Sequence, residues 1–266
     1  MDDQVDDEER LAAVGATAVV VAICRAVESQ RVDGWFSDPL ADHVERVAEP
    51  TPETKLRPGL VFWVAVRTRF LDELMLDALG RGAEQFALLG AGLDARAFRL
   101  RLPETTLVFE IDRAPVLALK RRLVAETGLR ATCDRREVAA DITEPGWTDR
   151  LRAQGWNPGL PTCWLAEGLL VYLEPTARDH LLTTLSRTSP PGSRLGATLT
   201  SARRAEQVAL FRSGVEGDPR EWLESLGWQA TVAKLPEVAG RYGRPVSEKA
   251  AAAASAILID ASALPR

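Results

Sequence analysis

Histidine is nearly missing from this chain. Only His43 and His180 occur in 266 residues, and they lie far apart in sequence. That scarcity excludes a histidine-rich metal site, although not a carboxylate-based one, and no metal is expected. Cysteine is scarce too. Cys24, Cys133 and Cys163 are odd in number and lack metal-ligand spacing. They predict reduced thiols, buried as small apolar residues, in a cytoplasmic protein. There is no excess of positive charge: 33 Lys and Arg stand against 38 Asp and Glu, a net charge of -5. That balance argues against a nucleic-acid binder, which needs a basic face for phosphates. Long hydrophobic runs are absent as well. The stretch 11–24 is shorter than the about 20 residues that cross a bilayer. Its upstream flank (Asp2, Asp3, Asp6, Asp7, Glu8, Glu9) is acidic where a secretory signal would be basic. Neither a membrane span nor a leader is expected, and the acidic tip reads as a solvated end or as a lid that orders on ligand binding.

What is present is ordinary for a soluble globular protein: 46% hydrophobic and 27% charged residues. The length suits one large α/β domain, or a small and a large one fused. No internal repeat appears, and the Ala-rich run 250–254 is the only biased patch. Residues 9–80 read as helical. Glu9–Ser29 carries helix formers, Ser37-Asp38-Pro39 is a helix start, and Gly59–Leu79 is a long amphipathic segment with Val66, Phe70 and Leu74 at helical spacing. From residue 85 strands and helices alternate. Strands are expected at 86–90, 106–112, 137–142, 162–167 and 194–200, with helices opening near Pro115, Trp147 and Pro175. Such alternation implies parallel βαβ units. Past residue 200 the rhythm changes. Residues 203–215 are helical or irregular, 219–226 form a short helix, and 228–235 and 256–263 are two more strands. These last two lack a helix-sized spacer and read as an antiparallel edge, for about seven strands in all.

The chemistry sits where the strands end. Gly90-Ala91-Gly92 follows the first strand, where glycines allow a tight turn and a close backbone approach to a ligand. Asp112 ends the second strand, twenty residues past Gly92. It is placed to accept both hydroxyls of a ribose, unless it merely caps the next helix. Glu110 points to the same face and could share the diol or hold a backbone amide. Asp141 and Ile142 end the third strand. A carboxylate there could accept from an adenine amino group while the next backbone amide donates to a ring nitrogen. Glu167 ends the fourth, after an apolar run, so it should be half buried and in need of a partner. It could accept from the amine of an amino-acid-like cofactor or pair with an arginine. Arg67 and Arg69 lie on the helix before the first strand. Two residues apart they cannot share a face, and spacing alone does not choose which one clamps a carboxylate.

Two ligands fit the glycines and Asp112. In an NAD(P)-dependent oxidoreductase, Gly90-x-Gly92-x-x-Ala95 with Asp112 would be a dinucleotide fingerprint, but Asp94 would repel a pyrophosphate in the first helical turn. That reading also leaves Asp141 and Glu167 idle. S-adenosyl-L-methionine uses all the acidic strand ends and is preferred. A cofactor-binding protein without catalysis is a third possibility.

Taken together, Leu89-Gly90-Ala91-Gly92-Leu93-Asp94-Ala95-Arg96-Ala97-Phe98-Arg99, Phe109-Glu110-Ile111-Asp112, Ala140-Asp141-Ile142 and Trp164-Leu165-Ala166-Glu167-Gly168-Leu169-Leu170-Val171-Tyr172-Leu173 resemble the leucine carboxyl methyltransferase family. More closely they resemble its bacterial branch of S-adenosylmethionine-dependent methyltransferases, which includes polyketide O-methyltransferases. Phe36-Ser37-Asp38-Pro39-Leu40-Ala41, Arg67-Thr68-Arg69-Phe70 and Gly240-Arg241-Tyr242-Gly243-Arg244-Pro245 match as well, so the resemblance covers nearly the whole chain. It implies a class I methyltransferase Rossmann-like α/β fold in a single domain. An N-terminal helical cap would span 1–82, a cofactor-binding core 83–200, and a substrate-side insertion with the last strands 201–266. It implies that Arg67 grips the methionine carboxylate, that Gly90 packs under the cofactor, that Asp112 holds the ribose, and that Asp141 with the Ile142 amide holds the adenine. Glu167 would lie by the methionyl end. Ile142 stands where leucine is usual. The long inserts of the eukaryotic phosphatase methyltransferases are missing, which favours a small-molecule acceptor.

Methyl transfer from a sulfonium is an in-line displacement that yields S-adenosyl-L-homocysteine. The enzyme must align the nucleophile and exclude water. A carboxylate is already ionised at neutral pH, whereas an alcohol or phenol is helped by a base. No histidine falls in the strand-end motifs, which leans towards a carboxylate or an acidic phenol, with His43 able to enter only as part of a lid. Trp35, Phe36, Phe62, Trp63, Tyr172 and Phe211 are candidate apolar walls, Trp63 and Tyr172 foremost. Arg203, Arg204 and Arg212 could meet an acidic substrate, but solvated surface positions are the favoured reading. Neither the acceptor nor the oligomeric state is legible.

Overall fold

The structure, a computed structural model, describes residues 2–48, 58–246 and 256–264, with only the backbone of residues 2–15 and 58. The Ala-rich run 250–254 lies outside the described residues. Strands β1 (Gln85–Leu89), β2 (Leu107–Asp112), β3 (Asp134–Ala139), β4 (Thr162–Ala166), β5 (Arg194–Thr200), β6 (Trp228–Lys234) and β7 (Ala256–Ala263) form one sheet in the order β3-β2-β1-β4-β5-β7-β6. The first five run parallel. β7 returns antiparallel between β5 and β6. This is the expected α/β class I methyltransferase sheet with its antiparallel edge.

The helices are α1 (Asp2–Ser29), α2 (Pro39–Val47), α3 (Pro58–Gly80), α4 (Arg96–Arg99), α5 (Ala114–Thr127), α6 (Trp147–Ala153), α7 (Pro175–Thr188), α8 (Ala202–Ala205), α9 (Pro219–Ser225) and α10 (Leu235–Arg241). Local chemistry sets several of the starts. Asp38 caps α2 by accepting from the Ala41 amide at 2.9 Å, with Pro39 in the first turn. Asp218 and Pro219 open α9 in the same way. Gly128, at φ +69°, ends α5 in the left-handed conformation.

The central strands are covered on both faces, so they are largely apolar. In β1 alternate residues serve opposite cores. Phe86 and Leu88 pack with Leu71, Leu74 and Met75 of α3. Ala87 and Leu89 pack with Phe109 of β2, Trp164 of β4 and Trp147 of α6. Two fully buried tryptophans have partners for their indole N–H groups: Trp164 donates to Ser189 Oγ and Trp228 to the Leu182 carbonyl, each at 2.9 Å.

Two elements depart from the sequence expectation. β3 begins at Asp134 rather than 137 and ends at Ala139, so Asp141 and Ile142 stand in the loop beyond it. The first half of this edge strand is charged, and its charges find partners. Arg135 meets Glu110 at 2.6 Å and Arg136 meets Asp134 at 2.6 Å. A hydrophobic pattern cannot show that. α10 was not expected between the last two strands. It folds because Pro236 and Glu237 start it and because Leu235, Val238 and Ala239 bury against Val66 of α3 and Leu258 of β7.

At Gly196 the side chains of α3 come close to the sheet backbone. A Cβ there would stand 2.8 Å from methyl groups of Leu71 and Leu165. Gly196→Val should therefore lower unfolding free energy by about 1–3 kcal/mol through overpacking. Urea unfolding measures this, and an unchanged midpoint would contradict it.

Candidate functional site

The strand order reverses beside β1, with β2 on one side and β4 on the other. In open α/β sheets the crevice at the carboxyl ends of such strands takes the ligand. A cavity of about 250 Å³ lies there. It is lined by Gly90, Ala91, Gly92 and Asp94 after β1, Asp112 and Arg113 after β2, Asp141, Ile142 and Thr143 after β3, and Glu167 and Gly168 after β4. Arg67 of α3, Tyr172 and Leu173 complete that wall. Thr17, Ala18, Val21 and Arg25 come from one side of α1, which lies across the opening.

Gly90 and Gly92 have φ of +60° and +47°, and a Cβ on Gly90 would stand 2.9 Å from Leu169 Cδ1. Only glycine takes both the turn and the contact without strain. Asp112 is aimed by two backbone amides. Gly92 N donates to Oδ2 and Arg113 N to Oδ1, each at 2.7 Å. Burial raises its pKa, and those two donors only partly offset the rise. Asp141 accepts from the Thr143 amide at 2.9 Å and from Arg113 Nε at 3.0 Å. Burial would raise its pKa, but Thr143 and Arg113 together lower it.

The amino-acid-sized end of the cavity is built from charge. Arg67 Nε donates to Glu167 Oε1 at 2.9 Å, and Thr68 Oγ1 donates to the same oxygen at 3.1 Å. The other oxygen, Oε2, meets Arg96 Nη2 at 2.7 Å. Gly168, at φ +63°, passes so close to Arg67 that a Cβ would stand 3.0 Å from Nη1. Arg96 is almost fully buried. It also holds Asp72 at 2.7 Å, the Thr68 carbonyl at 3.1 Å, and Asp94. Arg99 holds Asp72 at 2.6 Å and lies 3.9 Å from Asp38. Asp38 in turn holds Arg25 at 2.8 Å, and Arg25 Nη2 donates to the Leu93 carbonyl in the glycine turn at 2.6 Å. Four guanidinium groups (Arg25, Arg67, Arg96, Arg99) thus balance four carboxylates (Asp38, Asp72, Asp94, Glu167). Burial is the largest single influence and pushes the Asp94 and Glu167 carboxyls up, but the surrounding cations, Arg96 foremost, together outweigh it and hold both below the usual range.

All seven residues expected to bind a cofactor meet in this one cavity: Arg67, Gly90, Gly92, Asp112, Asp141, Ile142 and Glu167. Tyr172 lines it too, with Phe211 edge-on behind it at 5.5 Å. Trp63 does not line it. Its ring packs 5.6 Å from the Arg67 guanidinium, on the side where Trp35, Phe62 and Tyr242 gather around α10. Phe36 lies under Arg99 at 5.1 Å. Glu110 also lies elsewhere: fully buried, it pairs with Lys120 at 2.8 Å and Arg135 at 2.6 Å. His43 bonds Glu126 on α5 at 2.8 Å, away from the cleft. The sequence reading missed Arg25, Thr17, Ala18 and Val21. The helical spacing 17, 18, 21, 25 was visible, but nothing local says what that stripe covers. The three cysteines are free, and burial raises their pKa values to about 11 for Cys24 and Cys133 and about 12 for Cys163. Thiols so placed are inert at neutral pH. Among the described residues no cluster of His, Cys, Asp and Glu could hold a metal, and no helix is long and apolar enough to cross a membrane.

Sheet order, glycine turn and acidic strand ends define a class I methyltransferase-type fold with its nucleotide-sized cleft. The profile of the leucine carboxyl methyltransferase family matches residues 18–186, and the chain belongs to that family. It is 39% identical over 264 residues to a candidate S-adenosyl-L-methionine-dependent methyltransferase of Streptomyces avermitilis, covering 91% of this chain and 93% of that one. A protein of the same description from Mycolicibacterium smegmatis is 36% identical over 277 residues, covering 90% and 91%. Among solved structures, a DUF574 family protein of S. avermitilis superposes with a TM-score of 0.62 at 16% identity, over 88% of this chain and all of that one.

Replacing Arg96 by methionine would strand Asp94 and leave Asp72 and Glu167 with one cation each, Arg99 and Arg67. The expected cost is about 3–5 kcal/mol, read by chemical denaturation. The lowered carboxyl pKa values give this cluster a defined acid response. Its stability is complete above the unfolded carboxyl values, about 3.9 for Asp and 4.3 for Glu. It drains as pH falls below them towards the folded values. Native protein should lose stability from about pH 4.5 downward, whereas Arg96→Met should show a shallower slope there.

Proposed function

We propose that this protein is an S-adenosyl-L-methionine-dependent O-methyltransferase acting on a carboxylate or acidic hydroxyl of a small molecule. One observation carries the reading: the glycine turn and three acidic strand-end residues, each suited to a different part of that cofactor, line a single cavity. Asp112, held by two amides, presents its carboxylate to the ribose hydroxyls. Asp141 accepts from the adenine amino group. The Ile142 amide, which no protein acceptor among the described residues takes, donates to the ring. Arg67 and Glu167 form a plus-minus pair that matches the zwitterion of an amino acid. S-adenosyl-L-methionine supplies an electrophilic methyl group on sulfur. The chain's residues orient the reactants and exclude water.

The acceptor side is bounded by Val21 of α1 with Leu169, Tyr172 and Leu173. Tyr172 is the substrate-contacting residue, and Trp63 acts from behind by bracing Arg67. No histidine lines the cavity, and its carboxylates are held in hydrogen bonds. An acceptor that is ionised at neutral pH fits this wall, because it needs no base. The protein is assigned to the cytoplasm on its unpaired cysteines.

Two observations weigh against the NAD(P) alternative. Asp94 lines the cavity beside the glycine turn. The helix that follows, α4, has a single turn, too short to offer a pyrophosphate the dipole of a full helix.

Calorimetric titration with S-adenosyl-L-homocysteine should show saturable binding, and titration with NAD should show none; the reverse result sinks the methyltransferase reading. Asp112→Asn should weaken the homocysteine ligand by about 10–100-fold, since it loses charge-assisted bonds to the ribose. The raised pKa of Asp112 adds a pH dependence. Hydroxyl donors favour the ionised carboxylate, so affinity should fall as pH drops through that raised value, and Asp112→Asn should abolish this fall.

A further inference from the structure

Behind the cavity, a second cluster ties the C-terminal part of the chain to the end of α1. Arg244, three residues past the end of α10, donates from Nη1 to both oxygens of Glu28, at 2.8 and 2.9 Å. Its Nη2 donates to the Asp33 carbonyl. Its guanidinium lies over the Trp35 ring, 4.0 Å from the centroid. Trp35 in turn donates its backbone N–H to Glu28 at 2.8 Å and meets Tyr242 edge-on at 5.5 Å. Tyr242 rests under Arg69 of α3 at 4.0 Å and donates its hydroxyl to Glu73 at 2.7 Å.

Glu28 is 2% exposed, so its carboxylate depends on this partner. Arg31, the other cation nearby, is half exposed and no closer than 3.7 Å. One helical turn before Glu28 stands Arg25, which grips the glycine turn through the Leu93 carbonyl. One and two turns further back stand Val21, Ala18 and Thr17, the cover of the cavity. The helix that roofs the site is therefore fastened at one end by a residue more than two hundred positions away.

We propose that Arg244 is a positioning residue: by neutralising Glu28 and tying it to the Asp33 carbonyl it holds α1 closed over the cofactor cavity, and so sets how long the cofactor stays bound. This rests on the methyltransferase reading for the ligand, but the latch has its own readout. Without Arg244 the buried Glu28 charge is left to find water, which the last turn of α1 can provide only by lifting. Lysine cannot replace the residue, because an ammonium has neither the second nitrogen that reaches the Asp33 carbonyl nor the flat face that stacks on Trp35.

The test compares native protein with Arg244→Ala, Arg244→Lys, Glu28→Gln, and Arg101→Ala as a surface control. Amide hydrogen exchange without ligand is read on 16–29, and S-adenosyl-L-homocysteine affinity and dissociation rate are read by surface plasmon resonance. Arg244→Ala should speed exchange in 16–29 selectively. It should weaken the ligand by about tenfold, through dissociation, because the closed state is less populated. Arg244→Lys should recover little of this, and Arg101→Ala should match the native protein. If Arg244→Ala does not fold, Glu28→Gln reads the same latch from its other side. Unchanged exchange and dissociation in a folded variant would overturn the proposal, and so would faster exchange spread evenly over the sheet. A native protein that does not bind S-adenosyl-L-homocysteine would sink the cofactor reading instead, while the exchange data still decide the latch.

Discussion

The structure around the cleft depends on one buried guanidinium. Arg96 sits in a one-turn helix just past the glycine turn and reaches carboxylates from three separate places: Asp72 on α3, Asp94 in the turn, and Glu167 at the end of β4. A charge this deep is tolerable only when it is fully paired, and Asp94 in turn pairs with no other cation among the described residues, whereas Asp72 and Glu167 are shared with Arg99 and Arg67. The positions of α3, the turn and the β4 end are thus fixed relative to one another. Arg99 and Asp38 extend the chain to Arg25, and Glu167 extends it to Arg67. The network runs from the roof helix to the wall of the cavity without leaving the interior.

That arrangement explains how a ligand site can be both charged and stable. Arg67 and Glu167 face the cavity and satisfy each other, so neither charge is stranded. In the proposed complex a zwitterionic ligand would exchange partners with this pair rather than create new ones. The glycines act alongside. Gly90 and Gly168 bring backbone close to Leu169 and Arg67, respectively, where a side chain would not fit. The specific groups are held by short backbone connections at the sheet edge, and the sheet is braced on both faces by apolar cores.

Much of this was legible from residue order. The parallel strands, the antiparallel edge, and β5 and β7 to the residue follow from apolar runs and turn residues. So does the convergence of Asp112, Asp141 and Glu167, because parallel strands bring their carboxyl ends to one side of a sheet. Other features were hidden for identifiable reasons. β3 opens with four charged residues that pair partly with one another and partly with Glu110 and Arg121. α10 is a short helix stabilised by burial against α3 and β7 more than by its own pattern. Glu110 has the same strand phase as Asp112, yet Lys120 and Arg135 draw it into the interior.

The sequence by itself determined the class of fold, the glycine turn and the acidic strand ends, because these depend on local periodicity, on backbone freedom at glycine, and on the rule that parallel strands end together. Tertiary structure alone decided which arginine faces the cleft, that Glu167 is paired with both Arg67 and Arg96, that α1 meets the glycine turn through Arg25, and that Arg244 meets Glu28 at the end of the same helix. Each of these is a pairing of charges distant in sequence. Such a pairing is worth making only where the fold removes water from both partners at once, and no local pattern of residues records where that happens.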